Sequence, residues 1–260
     1  MTTPTGAFHV VVPARYASTR LPAKPLADLG GVPMIVRVAR QARASRAASV
    51  TVATDDQRVL DALAAHRVDG VMTRADHVSG SDRVMEVATR LGWPDDAIVV
   101  NVQGDEPLIP PAVIEQVAAL LATRIELGVA TLCEPIERRR DVFDPNIVKV
   151  ARSKGGKALY FSRAPIPWER ATFATAHSDA ALPSGTRWWR HVGIYGYRVG
   201  VLRRFCALPP GTLERTESLE QLRLLENDID IAVAVAVAPV PGGVDTPEDL
   251  ARVRALLTSA

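Results

Sequence analysis

At 260 residues, with 31 Lys plus Arg against 29 Asp plus Glu and a net charge of +2, the chain is long enough for one large apolar core. It has no global charge to draw it to nucleic acid or to a membrane surface, so any anion site must be local. Met1 to Gly6 carries no basic n-region, and nowhere do about 18 apolar residues follow one another, so neither a signal peptide nor a spanning helix is expected. The two cysteines, Cys133 in an apolar run and Cys206 near a predicted helix end, have no metal-ligand or redox spacing and are read as packing residues of a chain kept in a reducing compartment.

Along the chain, short β-branched runs alternate with helical patterns, the signature of βαβ units around a mainly parallel sheet. The first predicted strand, Phe8 to Val12, is taken as an edge strand, and it runs into a Pro-punctuated segment that packs Arg15, Arg20 and Lys24 into ten residues. The G-x-x-x-x-G-K-[ST] pattern is absent, yet Ala14, Arg15, Ser18, Arg20 and Lys24 supply backbone N–H groups, a hydroxyl and fixed positive charge. We read a nucleoside triphosphate loop, with an ordinary solvated basic loop as the alternative. A helix follows over Met34 to Ala44, where Ile35, Val38, Ala39 and Ala42 share one face, then a strand at Ser49 to Ala53, a helix at Gln57 to Ala65 and a strand at Gly70 to Met72.

The turn His77-Val78-Ser79-Gly80-Ser81-Asp82-Arg83 opens a helix predicted over Ser81 to Leu91. Its free N–H groups and hydroxyls suit a base or a phosphate; a plain N-cap by Ser79 or Ser81 is the other reading, although Arg74 and Arg83 add donors a cap does not need. The strongest central strand, Ala97 to Val102, leads into Asn101-Val102-Gln103-Gly104-Asp105-Glu106-Pro107. Ligands of doubly wound sheets sit beyond the carboxyl ends of strands, so Gln103 and Asp105 stand where substrate belongs, Gly104 permits close backbone approach, and Asp105 is the hard oxygen donor Mg²⁺ prefers. A helix at Ala112 to Thr123 and a strand at Val129 to Cys133 complete the first half.

The second half is less regular: strands at Ile147 to Ala151, Ala158 to Ser162 and Val192 to Arg198, a helix at Leu219 to Asn227, a buried strand at Ile231 to Val237, and a last helix capped by Thr246-Pro247-Glu248-Asp249. Asp245, just before that cap and 140 positions from Asp105, makes a two-carboxylate Mg²⁺ site more plausible than either Asp alone. His191 and Tyr195, four apart on one strand, share a face, and with Arg163, Glu217, Glu220 and Gln221 they offer donors and acceptors suited to a polyhydroxylated acid, Arg163 serving as carboxylate partner. The irregular stretch from Pro165 to Trp189 is read as a functional loop or an oligomer arm. Repeats and low-complexity linkers are absent, and so are a Gly-x-Ser-x-Gly elbow and a His-Glu-x-x-His pair, so covalent catalysis is not expected.

The strings VVPARYASTRLPAKPL, MTRADHVSGSDRVMEV, VNVQGDEPLI, YFSRAPIPW, RHVGIYGYR, ESLEQLR and GVDTPEDL, in this order over nearly the whole chain, resemble the 3-deoxy-manno-octulosonate (Kdo) cytidylyltransferase family, the CMP-Kdo synthetases. The resemblance implies one α/β domain over residues 1–260, a Rossmann-like three-layer α/β/α fold with a mixed, mostly parallel sheet, and an irregular sugar-side or dimer segment at about 160–200. It further implies transfer of CMP from CTP to the anomeric hydroxyl of Kdo for lipopolysaccharide synthesis, with Mg²⁺ as cofactor, in a cytoplasmic homodimer that takes neither nucleic acid nor membrane. Carried over residue by residue, Arg15, Ser18 and Lys24 match triphosphate ligands, Ala14, Thr73, Arg74, Ser79 and Gly80 the cytidine pocket, and Gln103, Arg163, His191, Tyr195, Glu220 and Gln221 the Kdo contacts. Asp105 and Asp245 match the metal ligands and, with Arg15 and Lys24, form the expected catalytic set. Ala23 stands where the family usually has Gly, and Ser81 where Thr is usual. Competing readings are a cytidylyltransferase for another 2-keto sugar acid, such as an amino-substituted Kdo or a sialic acid, a nucleotide-binding regulatory protein, and, weakest, a nucleic-acid binder.

Overall fold

The computed structural model describes residues 7–17, 21–174, 181–185 and 187–258. Its elements run β1 (Phe8–Ala14), α1 (Met34–Arg43), β2 (Ser49–Thr54), α2 (Gln57–Ala65), β3 (Gly70–Met72), α3 (Gly80–Arg90), β4 (Ile98–Asn101), α4 (Pro111–Thr123) and β5 (Val129–Pro135). They continue with α5 (Arg139–Phe143), β6 (Lys149–Arg152), β7 (Ala158–Ser162), β8 (Trp189–Arg198), α6 (Val199–Ala207), α7 (Thr212–Glu217), α8 (Leu222–Glu226), β9 (Ile231–Val235) and α9 (Pro247–Thr258).

β1 is central, not an edge strand: it pairs in parallel with β2 on one side and β4 on the other. The run explains why. Val10, Val11 and Val12 are all fully buried, and a strand without polar alternation has no face to show water. With the period of two, Val10 and Val12 pack among Ile35 and Val38 of α1 and Val113 of α4, while Val11 packs on the opposite side against Val84 and Val87 of α3. The sheet order is β3-β2-β1-β4-β8-β5-β9, with helices on both faces. β1 to β4 are mutually parallel, β8 runs antiparallel to both β4 and β5, and β9 returns parallel to β5, so the sheet is mixed and mostly parallel as the resemblance implies. β6 and β7 form a side ribbon, antiparallel to each other, joined to β8 at Lys149 and Arg190.

The first-half elements lie within a residue or two of their predicted bounds, whereas α5 and α7 are unforeseen and α6 is expected only as a helix ending near Cys206. The helix predicted over Leu219 to Asn227 starts only at Leu222, because Ser218 caps α7 in the left-handed region at φ 52 and turns the chain. Within the stretch Pro165 to Trp189, residues 175–180 and 186 lie outside the described set; Trp188 is fully buried with Phe173, Val142 and Ile136, and its indole N–H donates to the Pro167 carbonyl at 2.8 Å. Cys133 and Cys206 are both free, and burial pushes both thiols up, as packing residues require.

Candidate active site

Three chain segments meet beyond the carboxyl ends of β1 and β4. The turn after β4 passes so close to β1 that a Cβ on Gly104 would stand 2.5 Å from the Pro13 carbonyl, a contact only glycine avoids. The segment before α9 is tied to that turn, the Val244 N–H donating to the Asp105 carbonyl at 2.9 Å. The predicted cap of α9 is present as a reciprocal pair, the Asp249 N–H donating to Thr246 Oγ1 and the Thr246 N–H to the Asp249 carboxylate; the Asp245 N–H donates to the same carboxylate at 3.2 Å. Asp105 and Asp245 thereby face one point, and Lys24 Nζ occupies it, 2.6 Å from Asp105 and 2.8 Å from Asp245. Burial pulls Lys24 down, but the two carboxylates outweigh it and hold the ammonium above its ordinary range. Lys24 opens a short 3₁₀ turn whose preceding residue, Ala23, is left-handed at φ 54, the conformation that makes Gly the usual family choice there. Glu106, which the sequence reading passed over, lies beside this trio; burial first, then the Asp105 charge, pushes it up to about 7.

A cavity of about 380 Å³ opens over this point, lined by Pro13, Ala14, Arg15, Lys24, Gln103, Gly104, Asp105 and Asp245. Arg15 Nη2 donates to the His77 carbonyl at 2.7 Å and so joins the β1 loop to the β3–α3 loop. Ser18 lies outside the described residues. Ser79 caps α3 in a capping box with Asp82, and Gly80 packs against Pro13, so that turn stands behind the Pro13 wall of the cavity without lining it. Thr73 and Arg74 are not brought into its wall. Thr73 is buried, donating to the Thr54 carbonyl at 3.0 Å and accepting from Arg83; Arg74 pairs with Asp76 on the exterior. Arg83, offered from sequence as a ligand donor, instead forms a buried ion pair with Asp55 at 2.9 Å, and Asp55 also accepts the Tyr16 N–H that starts the basic loop. Arg83→Met would strand the Asp55 carboxylate, and we expect a loss of about 3–5 kcal/mol of stability, measured by urea unfolding at neutral pH.

Gln103 and Asp105 also line a second cavity of about 310 Å³, whose other walls include Ser81, Asn101, His191, Tyr195, Glu220 and Gln221. β8 carries a bulge opposite Thr131 and Leu132, but His191 pairs with Cys133 and Tyr195 with Thr131, so the two rings keep the common face expected of them, their centroids 5.3 Å apart. Thr131 Oγ1 donates to the carbonyl of Ile194 or Val192, at 2.8 and 3.0 Å, so its 3.1 Å contact with His191 assigns the imidazole proton to Nε2 and leaves Nδ1 an acceptor. Burial, aided by Arg190, pushes His191 down to about 3, so the ring is neutral. Ser81, keeping the hydroxyl of the usual Thr, donates to Glu220 at 3.1 Å, and burial pushes Glu220 up.

Arg163, expected as the sugar's carboxylate partner, is not among the residues lining this cavity. Its guanidinium donates to the carbonyls of Glu217 at 2.8 Å, Pro145 at 3.0 Å and Ser218 at 3.4 Å, while the Arg163 carbonyl accepts from the fully buried Lys149 at 2.6 Å. Arg163 therefore holds the turn that carries Glu220 and Gln221. An arginine just past a strand end and beside a polar turn gives no sequence signal to separate a ligand from such a brace.

Residues 9–231 match the profile of the cytidylyltransferase family. The chain is 57% identical over 250 residues to 3-deoxy-manno-octulosonate cytidylyltransferase of Alcanivorax borkumensis, covering 96% of this chain and 98% of that protein. It is 56% identical over 253 residues to the enzyme of that name from Pseudomonas syringae pv. tomato, covering 97% and 99%. Among solved structures, CMP:2-keto-3-deoxy-manno-octonic acid synthetase complexed with CTP superposes with a TM-score of 0.88 at 42% identity, covering 98% of this chain and 99% of that one. A cytidylyltransferase from Leptospira borgpetersenii, at 15% identity and a TM-score of 0.62, shares the fold.

Proposed function

The chain belongs to the 3-deoxy-manno-octulosonate cytidylyltransferase family, and from that premise we propose that it transfers CMP from CTP to the anomeric hydroxyl of Kdo, releasing pyrophosphate. The observation that carries this reading is the meeting of Lys24, Asp105 and Asp245 at the join of two cavities, one walled by basic loop and backbone, the other by hydrogen-bonding side chains. The first takes the triphosphate and the second the sugar acid. The anomeric oxygen bonds to the α-phosphorus as the bond to the pyrophosphate oxygen breaks in line, and the hydroxyl proton leaves to solvent. Such chemistry is governed by positioning and charge. Arg15 and Lys24 neutralise the departing pyrophosphate; Gln103 and Asp105, common to both walls, stand at the reacting centre.

Asp105 and Asp245 would hold Mg²⁺ once the Lys24 ammonium that now bridges them moves onto phosphate: they are two hard oxygen donors converging on one point, and a two-carboxylate set leaves positions for water and phosphate oxygens. When bound, the ion supplies charge neutralisation at the α-phosphate and a lowered pKa for the attacking hydroxyl. Work as a cytoplasmic homodimer that supplies activated Kdo for lipopolysaccharide belongs to the same reading. The resemblance supports it, and Trp168, 55% exposed beside Phe143 and Phe173, gives the dimer an apolar surface for a second copy to cover. Among the described residues no helix is long and apolar enough to cross a membrane.

Pyrophosphate release from CTP should require both Kdo and Mg²⁺; release at the same rate with sialic acid in place of Kdo would overturn the sugar assignment. Because unpaired buried polar groups are costly, His191→Ala or Gln221→Ala should lower kcat/KM for Kdo by roughly 10- to 100-fold, with CTP affinity measured without sugar unchanged. The His191 ring should show no titration by NMR between about pH 5 and 8. Since the unfolded chain protonates this imidazole near 6.5 and the folded one only at about 3, its burial costs stability as pH falls below 6.5.

A further inference from the structure

Among the described residues, two buried polar atoms in the wall of the second cavity, Tyr195 Oη and Asn101 Oδ1, have no hydrogen-bond partner, and a third, Glu220 Oε1, has only the Arg223 guanidinium 3.8 Å away. Tyr195 and Glu220 were assigned to the sugar by resemblance; Asn101 was not. Asn101 is 3% exposed at the last position of β4, after Ile98, Val99 and Val100, in a strand buried at every residue. Packing alone would fill that position with another β-branched apolar side chain. Instead a carboxamide is sunk there with its oxygen unpaired, a group that calls for a partner the chain itself does not supply.

Asn101 is register-paired with Tyr195 across the antiparallel β4–β8 ladder, so the two side chains stand on one face as direct cross-strand neighbours, yet neither unpaired oxygen bonds to the other. An amide oxygen accepts only, whereas a phenol also donates. One sugar hydroxyl placed between them would donate to Asn101 Oδ1 and accept from Tyr195 Oη, satisfying both at once. Gln103, two residues beyond Asn101 on the same strand direction, lines the same cavity and marks where the reacting end of the sugar lies.

Resting on the reading that this cavity takes the sugar acid, we propose that Asn101 is a specificity-determining residue, its carboxamide pairing with one non-reacting hydroxyl of a 2-keto sugar acid. The test is pyrophosphate release with Kdo and with a set of its mono-deoxy analogues, for the unaltered protein, Asn101→Ala and Asn101→Leu. The two variants err in opposite directions on packing, so a loss common to both belongs to the carboxamide; thermal midpoints check folding. Both should lose roughly 10- to 100-fold in kcat/KM for Kdo and keep the CTP affinity of the unaltered protein. One deoxy analogue should cost the unaltered protein a similar factor, while the variants use that analogue and Kdo alike. Full efficiency in either folded variant, a loss of CTP affinity, or discrimination against every analogue that matches the unaltered protein's overturns the role of Asn101 and leaves the proposed activity standing. Failure of the unaltered protein to use Kdo at all overturns the activity itself, and Asn101's role with it.

Discussion

Asp105→Asn and Asp245→Asn should each lower turnover by about 100- to 1,000-fold at saturating CTP and Kdo, with little change in thermal midpoint. Each substitution removes one charge and almost no volume, and the backbone that aims the two side chains, Val244 N–H to the Asp105 carbonyl and the Thr246–Asp249 cap, does not depend on either carboxylate. The fold should persist while the point facing both carboxylates loses half its negative charge. Steady-state pyrophosphate release over a Mg²⁺ titration checks this. Near-normal turnover of either variant at saturating Mg²⁺ would exclude that residue as a metal ligand.

Lys24→Ala should fail in a different way. The side chain meets phosphate in the proposed reaction, so kcat/KM for CTP should fall by about 100-fold or more while KM for Kdo holds. Lys24 also separates Asp105 from Asp245, 2.6 and 2.8 Å from each. Without it two carboxylates face one another, and added Mg²⁺ should raise the thermal midpoint of the variant more than that of the unaltered protein. A raised KM for Kdo as the sole effect would show that the loop does not serve the triphosphate.

The parts of the site legible in the sequence are those built from local chain direction. A strand of consecutive valines ending in Pro13, a glycine between Gln103 and Asp105, and the cap Thr246-Pro247 each specify where a backbone stops and turns, and the ligand-facing residues lie at those stops. The basic loop after β1 suggests an edge strand, but the unbroken apolar run within β1 is the decisive signal, since only burial on both faces makes such a run. Thr73, Arg74 and Arg163 enter the expected site through the family resemblance, Arg163 also through its chemistry; in the structure Thr73 meets Arg83, Arg74 meets Asp76 and Arg163 meets the Glu217–Ser218 carbonyls. A donor's type says that it needs a partner, not which one.

By itself the sequence determined the alternation of strands and helices, the basic loop after the first strand and the two aspartates at distant strand ends, because these rest on periodicity, on turn chemistry and on the few residue types that hold phosphate or a hard cation. The tertiary structure alone decided that Lys24 lies between Asp105 and Asp245, that Arg83 is a buried partner of Asp55, that Glu106 is pushed up to about 7, and that Asn101 stands unpaired opposite Tyr195. Each of these joins residues far apart in the chain. Their distance, burial and mutual charge come from how β1, β4, β8 and α9 are laid side by side, which no local pattern encodes.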